Sequence, residues 1–259
     1  MMRKLAKIIA MVLLAAAPAL AAGVIEREMV CPVCGQDFYA KLDATVPQLD
    51  MRLDLKPVGG GPWLLPDCPK CGFVIFKVPI PPAELAKCRA VAGSDRYKKS
   101  LGRSSYFRAG LIYEALGKPD FSIANTFLKA SWQEEADAVM LKEDLELSLG
   151  YFRARARDEA DKNEDWENSK LLIGELLRRL GRFGEAKAHL AGLKALPAFR
   201  NNFFGDIVDY ELDLCEKWDI TPHDMQEVRE FKKSILTKAL ERVREFFLDL
   251  AAAPAGKKD

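Results

Sequence analysis

"MVCPVCGQDF" at residues 29–38 and "DCPKCGFVIF" at residues 67–76 decide how the first part of this chain folds. Each contains Cys-Pro-x-Cys-Gly, with Cys31 and Cys34 in the first, Cys68 and Cys71 in the second, and 33 residues between the inner cysteines. Two residues between cysteines make a tight turn that aims both sulfurs at one point. The glycine that follows, Gly35 or Gly72, takes up a left-handed backbone at little steric cost. Two such knuckles facing each other form a tetrahedral four-thiolate site, so Cys31, Cys34, Cys68 and Cys71 are expected to ligate one metal ion. Zn2+ is the expected ion, in a structural role, because four thiolates fill the tetrahedron and leave no position for water. Iron in a rubredoxin-like centre is one alternative, since ligand softness alone does not separate the two metals. Disulfides or thiol exchange are another. Thiol oxidoreductases, however, usually carry one such pair at a helix N-terminus, whereas here there are two, each between strand-like residues.

Between the knuckles, "LDMRLDL" at 49–55 alternates, with Leu49, Met51, Leu53 and Leu55 on one side and Asp50, Arg52 and Asp54 on the other. That period predicts a strand with one wet face. "VGGGP" then turns the chain, and "FVIFKV" from Phe73 reads as a further strand. Phe38, Trp63 and Phe73 are the expected small core around the metal.

Upstream, Arg3, Lys4 and Lys7 precede an apolar stretch that ends in small residues, with Ala19 and Ala21 in the A-x-A relation. This reads as a signal peptide cleaved after Ala21, giving a periplasmic or secreted protein. An uncleaved anchor is the competing reading, because residues 8–25 carry no charge; the protein would then be membrane-tethered and face outward. A bound cation would explain how four thiols stay useful in an oxidising compartment, since coordination withdraws them from exchange. Losing those three cations takes the formal charge from +1 to −2. A chain so close to neutral lacks the cationic excess that nucleic-acid binding requires.

"VPIPPAEL" marks a boundary at residues 79–83, where strand-like character stops. From Glu84 onward apolar residues recur at three-to-four spacing, which predicts an all-helical second domain to residue 250 and a disordered tail over 251–259. Leu-Gly recurs at Gly117, Gly150 and Gly181, 33 and 31 residues apart, and such periods indicate stacked helical hairpins. "LLIGELLRRLGRFGEAKAHLAGLKALP" is the best copy and looks like a tetratricopeptide repeat, with Ile173, Gly174 and Leu177 in the first helix and Phe183 and Ala186 in the second. Ala109, Gly110 and Tyr113, then Phe121 and Ala124, follow the same plan. The middle copy has Lys142 and Glu143 at the small and apolar places, so a long helix is expected there instead. In the last helix Thr221 is expected as N-cap, with Pro222 first and Asp224 in the capping box. Its stripe of Ile235, Leu236, Leu240, Val243, Phe247 and Leu250 is expected to seal the array.

The fold class is therefore α+β: a small N-terminal β zinc ribbon over 22–78 with rubredoxin-like knuckles, then an all-α array of TPR-like hairpins. His189 and His223, the only histidines, stand in no catalytic or metal-ligand spacing with one another. Cys88 and Cys215 lie on apolar faces, and whether they pair stays open. With no phosphate loop, nucleophile elbow or metal-hydrolase helix, no enzyme is expected and no catalytic residue is assigned.

The paired knuckles, the hairpin between them, "DCPKCGFVIF" and "FLKASW" give the chain a resemblance over roughly residues 28–218 to a bacterial family of unknown function, the domain of unknown function 2225 family. The resemblance implies metal ligation by Cys31, Cys34, Cys68 and Cys71, and no known activity. The export-like leader departs from that family's pattern. The expected function is an exported metal-ribbon protein whose helical groove docks another protein or peptide, with no nucleic-acid partner and a membrane partner only if the leader is uncleaved. A rubredoxin-like or thiol-based redox protein using the same cysteines is the alternative.

Overall fold

The computed structural model describes residues 24–43, 50–59, 64–200 and 202–252. The signal-peptide reading, Leu49 and Trp63 fall outside them, as do residues 253–259. The chain opens with an antiparallel hairpin of β1 (Val24–Val30) and β2 (Asp37–Asp43), in register from Val24 opposite Asp43 to Val30 opposite Asp37. The first knuckle is the turn of this hairpin.

Nine helices follow among the described residues: α1 (Pro82–Gly93), α2 (Asp95–Lys99), α3 (Ser105–Leu116), α4 (Asp120–Gln133), α5 (Ala138–Ala156), α6 (Glu164–Arg179), α7 (Phe183–Leu193), α8 (Phe203–Glu216) and α9 (Met225–Ala252). Several begin where a short polar side chain accepts from the first turn. Ser94 caps α2, Ser104 caps α3, Asp137 caps α5, Asn163 caps α6 and Asn202 caps α8. From α3 to α8 each helix packs on the next. Two pairs come together at a glycine. A methyl group on Gly110 of α3 would lie 2.5 Å from the Phe127 ring of α4, and one on Gly174 of α6 would lie 2.5 Å from Leu190 of α7. Small residues at these places let the helices approach closely. Gly150 falls inside α5 and ends no helix, so the middle Leu-Gly marks a long helix and no hairpin turn.

Two apolar clusters form the interior. One gathers Phe73, Val74 and Ile75 after the second knuckle with Tyr97 of α2, Phe107 and Ile112 of α3 and Phe127 of α4. Ile80, amid the prolines, is buried in it and Pro82 already belongs to α1, so the ribbon and the first helices share one core. The other cluster runs through α4 to α9 and takes in Leu53 from the stretch between the knuckles.

Four expectations need correction. "LDMRLDL" forms no strand within its described part: Met51 bridges Pro57 across a turn, Arg52 bridges Asp224, and Leu53 N–H donates to the His223 carbonyl at 2.9 Å. Asp54 is buried against Arg52 and Arg179 of α6. The alternation thus fits a loop pinned to the far helices. "FVIFKV" likewise contributes only the bridge from Val74 to Asp67, because Phe73, Val74 and Ile75 bury against helices. At α9 the cap is Asp224 rather than Thr221. Asp224 Oδ1 accepts from Glu227 N–H at 3.0 Å and Glu227 Oε1 accepts from Asp224 N–H at 3.2 Å, a complete capping box. Nor does the described stripe of α9 seal the array. Met225, Val228 and Phe231 pack on it, but Ile235, Leu236, Leu240 and Val243 are exposed, Leu240 by 71%.

Candidate metal centre

The two knuckles repeat one backbone pattern. In the first, Gly35 N–H donates to the Cys31 carbonyl at 2.9 Å and Cys31 N–H to the Gln36 carbonyl at 2.9 Å. In the second, Gly72 N–H donates to Cys68 at 2.8 Å and Cys68 N–H to Phe73 at 2.9 Å. Gly35 and Gly72 both take the left-handed backbone, with φ of 74° and 68°. That turn brings Cys31 back over Cys34, and Cys68 over Cys71.

The four sulfurs converge within 4.8 Å of one another. Cys31 Sγ lies 3.7 Å from Cys71 Sγ, and Cys34 Sγ lies 3.6 Å from Cys68 Sγ. A tetrahedral ion with metal–sulfur bonds of about 2.3 Å sets sulfurs about 3.8 Å apart, close to these spacings, whereas a disulfide requires about 2 Å. All six cysteines are free thiols. The donor set fits a soft divalent ion, and the residues that can hold it are Cys31, Cys34, Cys68 and Cys71, as expected from the spacing.

Backbone N–H groups reach the sulfurs: Val33 and Cys34 donate to Cys31, Gln36 to Cys34 and Phe73 to Cys71. Against the cost of burial, the Gln36 N–H and the neighbouring sulfurs bring the Cys34 thiol down to about 7. Burial pushes the Cys31 and Cys71 thiols up. An ion at the centre would favour deprotonation of all four.

What surrounds the centre was not legible in the spacing. Tyr97 of α2 and Arg108 of α3, both buried, donate to the Gly72 carbonyl at 3.1 and 2.8 Å. Arg108 also pairs with Asp67 at 2.8 Å. Of the expected aromatic core, Phe73 is fully buried and Phe38 half-buried. Cys88 and Cys215 sit in different clusters, Cys88 in the ribbon-side core and Cys215 in the other, so they do not pair; burial raises both thiols, Cys215 to about 11. His189 has a ring nitrogen 2.7 Å from the Lys170 carbonyl. His223 sits between Glu227 at 2.6 Å and Asp219 at 3.1 Å, in the loop that receives Leu53.

No helix of the described residues is long and apolar enough to cross a membrane. Comparison with protein-family models, with curated proteins and with solved structures finds no match to this chain.

Proposed function

We propose that this chain is an exported zinc-ribbon protein in which the metal is structural, and that its TPR-like array of helical hairpins docks another protein or peptide. One observation carries the reading: four free thiols on two knuckles converge within 4.8 Å of one another, and the Cys31–Cys71 and Cys34–Cys68 separations of 3.7 and 3.6 Å are close to a tetrahedral edge. When bound, a zinc ion supplies cross-linking and no chemistry with water, because thiolates fill its coordination. A ribbon with one two-stranded hairpin has little apolar surface of its own, and an ion would join that hairpin to the second knuckle, whose Phe73, Val74 and Ile75 pack on the helices. The docking role is supported by a cleft of about 410 Å³ between α5, α6 and α7. Ile173 and Leu177 give it apolar walls, and Arg153, Arg157 and Lys170 line it together with Glu185, which pairs with Arg153 at 3.0 Å. Export rests on residues 1–21, and membership of the family of unknown function rests on the paired knuckles.

Native mass spectrometry of the purified chain is the test. The expected result is one zinc ion per chain, with Cys31, Cys34, Cys68 and Cys71 resisting alkylation until a chelator removes it. A colourless chain with no bound ion and readily alkylated thiols overturns the metal reading. Visible ferric-thiolate absorption in the native protein establishes the rubredoxin-like alternative instead.

A further inference from the structure

Gly72 and Phe73 share one peptide unit, and both ends of it are engaged. Its N–H, on Phe73, donates to Cys71 Sγ. Its carbonyl, on Gly72, accepts from Arg108 Nη1 at 2.8 Å and from the Tyr97 hydroxyl at 3.1 Å. Neither donor belongs to the ribbon: Tyr97 comes from α2 and Arg108 from α3, and both side chains are buried. Each is held in place at a second point. Arg108 Nη2 donates to Asp67 Oδ2 at 2.8 Å, and the Tyr97 oxygen accepts from Val74 N–H at 3.0 Å. Burial raises the Tyr97 phenol to about 12, so it remains a donor at neutral pH.

Hydrogen bonds in series polarise one another where the dielectric is low. A guanidinium is the stronger kind of donor, since a charged group roughly doubles the strength of a hydrogen bond. Loading the Gly72 carbonyl therefore strengthens the Phe73 N–H as a donor to the Cys71 thiolate. At the first knuckle Gln36 N–H reaches Cys34, but Gly35 has open space beside it where Gly72 meets Leu101 and Arg108.

We propose that Arg108 and Tyr97 are positioning residues of the metal centre, acting through the Gly72–Phe73 peptide on Cys71, and that they couple metal affinity to the seating of α2 and α3. This rests on the metal-ribbon reading above. Because such coupling is reciprocal, a bound ion tightens the grip of the ribbon on those helices to the same degree that the helices tighten the grip on the ion. The array thereby senses whether the ribbon is loaded.

Tyr97→Phe, Arg108→Lys and Arg108→Gln in the full chain test the proposal, read by chelator competition for Zn2+ and by the sulfur-to-metal charge-transfer band with Co2+ as probe. Tyr97→Phe keeps the ring in the core, so it remains informative if Arg108→Gln does not fold. The expected result is one ion per chain held about tenfold to a hundredfold more weakly, in line with the loss of other outer-shell partners. The cobalt band should shift, Arg108→Lys less than Arg108→Gln, because a lysine keeps the charge but not the two-pronged contact. A merely structural role would leave the band unmoved. Folded variants with unchanged affinity and an unmoved band overturn the coupling while leaving the metal reading intact. A parent chain that binds no ion overturns the metal reading itself.

Discussion

The two knuckles are built from the same five-residue pattern and the same backbone bonds, yet they live in different surroundings. The first is the turn of a two-stranded hairpin whose Ile25, Val30 and Tyr39 are exposed, and Gly35 faces open space. The second is embedded. Phe73, Val74 and Ile75 are buried against helices, Leu101 lies over Gly72, and Arg108 and Tyr97 hold its carbonyl. The difference teaches that a local motif can fix ligand geometry without fixing stability. The second knuckle is enclosed by helices, whereas the first reaches the same cluster through Cys31 and, on its hairpin, Met29, Val33 and Phe38.

Truncating the aromatic ring nearest each knuckle is the strongest way to break this comparison. Phe73→Ala should cost about 3–5 kcal/mol of unfolding free energy, since it opens a cavity in a closed core. Phe38→Ala, at a half-buried site, should cost about 1 kcal/mol. Equal losses in urea denaturation of the metal-loaded chain would show that the knuckles share one environment.

The glycines sharpen the contrast. Alanine at Gly35 meets only the left-handed backbone, at about 1–2 kcal/mol. Alanine at Gly72 meets that and Leu101, whose Cδ2 would lie 2.3 Å from the new methyl group, so Gly72→Ala should cost about 2–4 kcal/mol. Leu101→Ala in the same background should return much of the difference, a double-mutant cycle that thermal unfolding can read.

The smallest effect is expected at Asp67, whose side chain is half-exposed and pairs with Arg108. Asp67→Asn should change stability by less than about 1 kcal/mol, and the change should shrink in high salt. A larger loss would mean that the second knuckle is held at its surface rather than by its core.

Most of the four-cysteine cluster is legible in the sequence itself. A Cys-x-x-Cys-Gly stretch carries its own turn, its own donors to sulfur and its own left-handed residue, all within five positions. The helix starts at Ser104, Asp137 and Asn163 have the same local character. The stretch between the knuckles departs from its expected strand for the opposite reason. Alternation at Leu53 and Asp54 is what a half-wet strand would show, but Asp54 pairs not only with nearby Arg52 but also with Arg179, 125 residues away. No local window contains that ion pair. The stripe on α9 fails similarly: its period is helical and the helix forms, yet nothing in its spacing says whether another surface will meet it.

From residue order alone came the four cysteines that converge, the knuckle turns, the helical periods and the close-approach glycines, because each depends on groups a few positions apart or on a repeating face. Which knuckle would be buried, where the intervening loop would dock and which side chains would reach Gly72 came only with the assembled chain. Those outcomes are set by the balance of burial and pairing between groups far apart in sequence, and that balance exists only once the helices have packed.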